Sequence, residues 1–227
     1  MLRRIRWYLL LILTIGGLWE YYGRRYAMVN LLISSPSLVC RYSLENAALL
    51  STATGFTLAE SLIGLLLAVI FSFGVMFLCF YFPRVLNVIM PIMVTSQVIP
   101  LITLAPLLIM VFGIGLTAKI VMAALLCFFP LFVNFASGYG AIPNTTKELL
   151  YLYGAPTWFR IVRVYVPLSL PSILAGLKVS ATLSVIGAIV AEFNGADYGL
   201  GKNLFLATKR LEPELMISSM KIGRAHV

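Results

Sequence analysis

Charge is what this sequence has least of. Asp, Glu, Lys and Arg make up 11% of the 227 residues, with eight acidic groups against seventeen basic ones and a single histidine. So few carboxylates and one imidazole supply no His/Asp/Glu cluster from which an active site could be assembled, so no catalytic residue is assigned and the chain is not expected to be an enzyme. The three cysteines, Cys40, Cys79 and Cys127, are far apart and the last two sit inside apolar runs. That spacing indicates neither a disulfide framework nor a metal centre, and the three read as packing residues. The net charge of +9 comes from Lys and Arg standing singly or in pairs between apolar runs. Those are the flanks of membrane spans, and no nucleic-acid partner is expected.

What is abundant is apolar surface: 61% of residues are hydrophobic and the mean hydropathy is +0.98, against roughly half apolar in soluble domains. Apolar runs place spans at about 7–23, 56–81, 86–112, 118–138 and 171–192, each long enough to cross hydrocarbon as a helix. Lipid offers no partner to a free backbone group and no alternating barrel pattern is present, so the expected fold is an all-α, polytopic helical bundle forming one membrane domain. Pro91, Pro100 and Pro106 predict a bent or interrupted third span. The start, MLRRIRWYLLLILTIGGLWEYYG, has the basic and apolar parts of a signal peptide but no small-residue cleavage site, which favours an uncleaved first span. Arg3, Arg4 and Arg6 before that span favour a cytoplasmic N-terminus. Carrying five spans forward leaves 140–170 inside, where Arg84, Lys147, Arg160, Arg163 and Lys178 join the first three, against Arg24, Arg25, Arg41, Lys119, Lys202, Lys209 and Arg210 outside.

The longest polar-bearing stretch between spans is TTKELLYLYGAPTWFRIVRVYVPLSLP, Thr145 to Pro171. Thr145 and Glu148 have capping-box spacing, which predicts a helix start with Glu148 reaching back over it. Leu149, Leu150, Leu152 and Tyr153 supply an apolar side, and Gly154 followed by Ala155-Pro156 supplies a stop. Thr157 then caps a second helix, with Trp158, Phe159, Ile161 and Val162 interleaved with Arg160 and Arg163, ending near Pro167 and Pro171. An interfacial connector resting on lipid accounts for this composition. A short helix, a glycine turn and a second helix also make a compact projection suited to a groove in a partner.

This stretch resembles the cytoplasmic motif of bacterial ATP-binding-cassette (ABC) importer permeases, E-A-A-x3-G-x9-I-x-L-P, with Glu148, Leu149, Leu150, Gly154, Val164, Val166 and Pro167 at its positions. The full spacing is kept, and every departure is apolar for apolar. Similarity extends to SPS at Ser35–Ser37, IPLITLAPLLIMVFGIG at Ile99–Gly115, LPSILAGLKV at Leu170–Val179 and AEFNGADYGLG at Ala191–Gly201. These segments are similar to the nitrate/sulfonate/taurine branch and to permeases for thiamine-precursor pyrimidines. The resemblance implies a type I ABC importer permease in the plasma (inner) membrane of a bacterium, acting beside a second permease copy. It further implies two ATPase subunits that bind ATP, since no cofactor is expected in this chain, and an extracytoplasmic solute-binding protein. On that pattern the 140–170 loop is the coupling helix region, with Glu148, Leu149, Leu150, Tyr153, Gly154, Ala155, Trp158 and Pro167 as its ATPase-coupling residues. The competing class, a stand-alone channel or secondary transporter, should show ionisable groups in mid-span or inverted repeats, and neither is apparent.

Other candidates are weaker. GADYGLGKN fails the phosphate-loop pattern at Ala196 and Asn203. Glu192, at the outer end of the last span, reads as an interfacial anchor and a gate candidate, and Glu20 and Glu60 read as anchors. Gln97, Ser96 and Thr95 sit beside the prolines of the third span, where they either line a polar pathway or hydrogen-bond between helices. The permease pattern expects one more span after Met220, yet the chain reads KIGRAHV. Those seven residues can be encoded by AAGATCGGAAGAGCACACGTC, which contains the start of a widely used sequencing adapter. The expectation is a permease domain over 1–220, an artefactual tail over 221–227 and a missing sixth span, with no role for His226.

Overall fold

Helix is the only regular structure among the described residues, which are 2–25, 34–96 and 103–225 of a computed structural model. In chain order the elements are α1 (Leu2–Arg25), α2 (Pro36–Glu45), α3 (Ala47–Tyr81), α4 (Pro83–Ser96), α5 (Leu104–Phe112) and α6 (Leu116–Gly140). There follow α7 (Asn144–Leu152), the single turn α8 (Thr157–Phe159), a π-helical turn (Arg160–Tyr165), α9 (Val166–Asn194), α10 (Leu200–Arg210) and α11 (Pro213–Ala225). The all-α expectation is met.

Three helical stretches among the described residues are long and apolar enough to span a membrane: Ala47–Tyr81, Leu116–Gly140 and Thr157–Asn194. The sequence predicts five such runs, and the difference has local causes. Of the run at 86–112, the described parts fall in α4 and α5, neither of which exceeds 14 residues, with Pro91 and Pro106 inside those helices and Pro100 outside the described residues. The run at 7–23 forms most of α1, whose 24 residues also carry Arg3, Arg4, Arg6, Glu20, Arg24 and Arg25. The last span is longer than predicted because helix continues through Pro167 and Pro171.

The chain forms two compact units, one from Met1–Thr57 with Glu192–His226, the other from Leu58–Ala191. In the second, helices approach at small residues. A Cβ on Gly64 of α3 would lie 2.6 Å from that of Ala123 in α6, and one on Gly187 of α9 would lie 2.9 Å from the Ala123 Cα. Ala123 is thus held between two glycines, the close contact on which helices rely where lipid removes the hydrophobic drive to associate. Further along the α6–α9 seam, Cys127 Sγ donates to Ser180 O at 3.0 Å and Ser180 Oγ to Cys127 O at 2.8 Å. Gly176 then packs on Asn134 and Gly138 on Ser172. Numbers fall on α9 as they rise on α6, so these two run antiparallel. The α3–α6 pairs, Glu60 with Lys119 and Gly64 with Ala123, rise together, so those two run parallel and the chain between them must return along their length.

Glu60 is a correction to its reading as a lipid-interface anchor, because it is buried against Lys119. Lys119 Nζ donates to Glu60 Oε1 at 2.9 Å, with the Glu60 side chain 1% exposed. The two neutralise each other across the helix pair, which lets both tolerate burial. The opposite end of the unit is an aromatic cluster in which Met76, Phe80, Phe132, Phe135, Ile161 and Tyr165 are buried.

In the first unit, Ser34 Oγ donates to Glu214 at 2.7 Å, Ser43 and Ser218 share a hydrogen bond at 2.9 Å, and Leu50, Ala207 and Leu215 form a small core. The Ser35–Ser37 motif starts α2 with Pro36 in its first turn, and Ser37 donates its backbone N–H to Glu20 at 3.0 Å. Glu20 is therefore a partner of the α2 start rather than a bare anchor.

Removing one member of the buried pair should cost more than removing both. Lys119→Met leaves Glu60 buried and unpaired and is expected to destabilise the protein by about 3 kcal/mol, with Glu60→Leu/Lys119→Met recovering most of that. The measurement is thermal unfolding in mild detergent, and equal midpoints for the single and double variants would contradict it.

Candidate functional site

Because α6 and α9 are antiparallel, the chain joining them, 141–165, lies at the end of the unit occupied by the aromatic cluster, ~30 Å along α6 from Lys119. The first helix of this loop begins two residues earlier than the capping box predicts. Pro143 is the N-cap, with no side-chain cap, and its carbonyl accepts from Thr146 N at 3.0 Å. Proline both breaks α6's continuation and sets the backbone for entry into α7. Thr145 therefore sits inside the first turn, and Glu148, expected to cap, is an exposed side chain on the body of the helix.

The predicted stop is where the sequence places it. Gly154 has φ +64°, its N–H donates to Tyr151 O at 3.0 Å and Ala155 N–H donates to Leu150 O at 3.0 Å. These two bonds make a Schellman closure, satisfying carbonyls that the end of α7 would otherwise leave unpaired. Thr157 does not cap the second helix. Pro156 is the N-cap, and the Thr157 hydroxyl instead accepts from Arg160 Nη2 at 2.8 Å. Nor does the helix end at Pro167 or Pro171. Val166 N–H donates five residues back to Ile161 O, the widened pitch of a π turn. Pro167 follows directly, and its missing donor and ring are accommodated at a point where the α ladder is already interrupted.

The loop presents an apolar crown. Leu152 is 85% exposed and Tyr153 79%, and Leu149, Tyr151 and Trp158 are also exposed. Of the predicted coupling residues, Leu149, Tyr153, Gly154 and Trp158 lie on this surface. Leu150 and Ala155 are half-buried, Leu150 packing against the aromatic cluster, and Pro167 is exposed beyond the π turn. Sequence reasoning passed over Leu152 and Tyr151 as contacts. It also missed two cation–aromatic contacts: Arg160 lies 3.9 Å over the Tyr151 ring and Lys147 lies 4.3 Å over Tyr139. Burial pushes the Lys147 ammonium below its ordinary value.

The other candidates lie elsewhere. Glu192 is buried in the first unit, where Thr57 Oγ1 donates to its Oε1 at 2.7 Å and Gly201 N–H to its Oε2 at 2.6 Å. Leu200 N–H donates to the same Thr57 hydroxyl at 2.9 Å. The carboxylate thus closes the N-terminus of α10, where exposed N–H groups favour an anion. Gly199, at φ +124°, leaves the space that Glu192 occupies. No signal around the AEF sequence pointed to Thr57, which is far away in the chain. Gln97 lies outside the described residues, and Ser96 is the last residue of α4.

A multi-pass helical membrane protein with a closed helical loop at one end of its bundle is the class these features define. The family described as binding-protein-dependent transport system inner membrane component matches residues 61–220, and the chain belongs to that family. It is 36% identical over 192 residues to the formylaminopyrimidine transport permease protein ThiX of Halalkalibacterium halodurans, covering 85% of this chain and 77% of that one. It is 35% identical over 130 residues to the riboflavin transport system permease protein RibX of Chloroflexus aurantiacus, covering 57% and 48%. The taurine transport system permease protein TauC of Escherichia coli is 26% identical over 170 residues, covering 73% and 60%. The similarity to ABC permeases is thereby supported beyond the loop motif.

A Cβ added to Gly154 meets nothing within 4 Å, so substitution there should cost only the left-handed backbone. Gly154→Ala is expected to weaken the closure by about 1–2 kcal/mol. Amide exchange at residues 154 and 155 should then be roughly 5- to 30-fold faster, and unchanged exchange would contradict it.

Proposed function

We propose that this chain is the permease subunit of an ATP-driven importer and that α7 is its coupling helix. The observation that supports this best is the exposed crown of Leu149, Leu152, Tyr153 and Trp158 on a turn that the Schellman closure fixes. Short apolar helices of this kind seat in grooves of partner proteins. The partners are two ATPase subunits at the loop, a second permease copy, and an extracytoplasmic binding protein on the opposite face of the membrane. Arg3, Arg4 and Arg6 favour a cytoplasmic N-terminus in a bacterial inner membrane, which puts α7 on the side where ATP is available.

In this reading ATP draws the ATPases together, and α7 carries that movement into α6 and α9 as a rigid-body change of access. Glu148, Leu150, Gly154, Ala155 and Pro167 shape the loop, while Leu149, Tyr153 and Trp158 make its contacts. Gln97 and Ser96 are assigned to the pathway beside the prolines of the third predicted span. Glu192 is assigned as a gate whose opening must release the N-terminus of α10. For the solute, a thiamine-precursor pyrimidine is favoured over a taurine, sulfonate or nitrate anion. The pyrimidine permease is 36% identical over 85% of this chain, against 26% over 73% for the taurine permease. The buried Glu60–Lys119 pair does not favour a stand-alone transporter, because the two charges satisfy each other.

The test is co-purification in mild detergent with the ATPase encoded beside this gene, comparing wild type with Leu149→Glu/Leu152→Glu. Both side chains are exposed, so the membrane domain should remain monodisperse while the ATPase is lost. Equal recovery of the ATPase would remove the coupling role and return the loop to a lipid-facing connector.

A further inference from the structure

The coupling helix is attached to its bundle by little. α7 has nine residues and none is fully buried, and a helix that short does not hold its shape unaided. Three side-chain contacts among the described residues tie it down. Leu150 packs on the aromatic cluster, Lys147 lies over Tyr139 of α6, and Arg160 lies over Tyr151. The first and the last of these join α7 to the segment that runs on into α9, since the cluster includes Ile161 and Tyr165, and the last is the polar one. The same guanidinium donates from Nη2 to Thr157 Oγ1 at 2.8 Å. One planar group standing on the first residue of the π turn therefore holds α7 through its ring and α8 through its hydroxyl.

This placement is costly. Arg160 Nε and Nη1 are buried and neither makes a well-formed hydrogen bond among the described residues, the Tyr165 hydroxyl interacting with the same guanidinium. An arginine serving only as a headgroup anchor would keep those donors in water, as the exposed Arg163, three residues on, is placed to do. Unmet buried donors are uncommon in folded proteins, and where one is retained the position itself needs a reason.

We propose that Arg160 is a positioning residue that braces α7 against the start of α9, so that the two move as one body. The proposal rests on α7 being the coupling helix. The covalent link between them is Tyr153–Pro156: the closure at Gly154 fixes the exit from α7 as far as Ala155, and beyond it Pro156 starts α8 with its own bond to Arg160 N–H, so the guanidinium supplies a side-chain tie across that junction. With the brace, a displacement of α7 carries Tyr151, Arg160, the π turn and Val166 together. Arginine suits this task and lysine does not, because a flat guanidinium can cover a ring with its face while its edge donates to a hydroxyl.

The test uses the complete complex of permease, ATPase and solute-binding protein in vesicles, with ATP hydrolysis measured with and without the binding protein. If sites are coupled, occupancy at one face changes activity at the other, so the wild-type rate responds to the binding protein. Arg160→Ala and Arg160→Lys are expected to retain the ATPase subunits on co-purification but to lose that response, while Tyr151→Phe, which keeps the ring, retains it. A normal response in Arg160→Ala overturns the brace. Loss of the ATPase subunits from Arg160→Ala, with Arg160→Lys normal, also overturns it, making Arg160 a docking charge while leaving the coupling helix intact. A wild-type complex that retains its ATPase but shows no response overturns the coupling reading and the brace with it.

Discussion

Ala123 sits where three helices meet, and the closeness of that meeting is the constraint from which the rest of the larger unit follows. Its neighbours, Gly64 on α3 and Gly187 on α9, leave no room for a side chain. In lipid, helices gain little from merely covering apolar surface, so contact at this distance is what makes one arrangement better than its alternatives. The Glu60–Lys119 pair lies one turn before Gly64 and Ala123 on both helices and fixes which residues come opposite. The exchange between Cys127 and Ser180 does the same for the antiparallel pair. Once the registers are set, the chain ends that need joining lie together at the aromatic cluster, and the loop has a defined place from which to project.

That loop combines a satisfied backbone with an unsatisfied surface. The closure at Gly154 removes any backbone reason for the turn to rearrange, while its largest side chains remain uncovered. In a family whose members belong to binding-protein-dependent transport systems, such a combination is economical. A fixed turn with an uncovered apolar surface is what the proposed coupling to a partner would use.

The sequence made the class of fold legible because lipid permits few answers, and it made the stop at Gly154 legible because only a residue without Cβ enters the left-handed region cheaply. The helix before that stop begins two residues earlier than the capping box predicts, so the stop was placed better than the start. What failed was partly local and partly a matter of partners distant in the chain. Thr145 and Glu148 have the spacing of a cap, but Pro143 had already begun the helix. Pro167 and Pro171 are strong breakers in isolation, yet a wide turn absorbs the first and the helix continues. Glu60 and Lys119 look like interfacial charges until α3 and α6 are set side by side. Glu192 likewise shows its role only when Thr57 and the start of α10 are brought to it. Local chemistry was readable in part, and pairing across elements was not.

The π turn at Arg160–Tyr165 also sets the phase of everything after it. Each residue of an α-helix advances the side chains by ~100°, and a turn closed five residues back takes in one more residue than an α turn. The face that α9 offers to α6, made of Gly176, Ser180 and Gly187, therefore points inward only while that extra residue is accommodated. Were the segment to tighten into an ordinary α turn, the seam would be rotated by nearly a third of a revolution and the glycines would face elsewhere. The six residues beside the loop thus set the rotational phase of the helix that follows them.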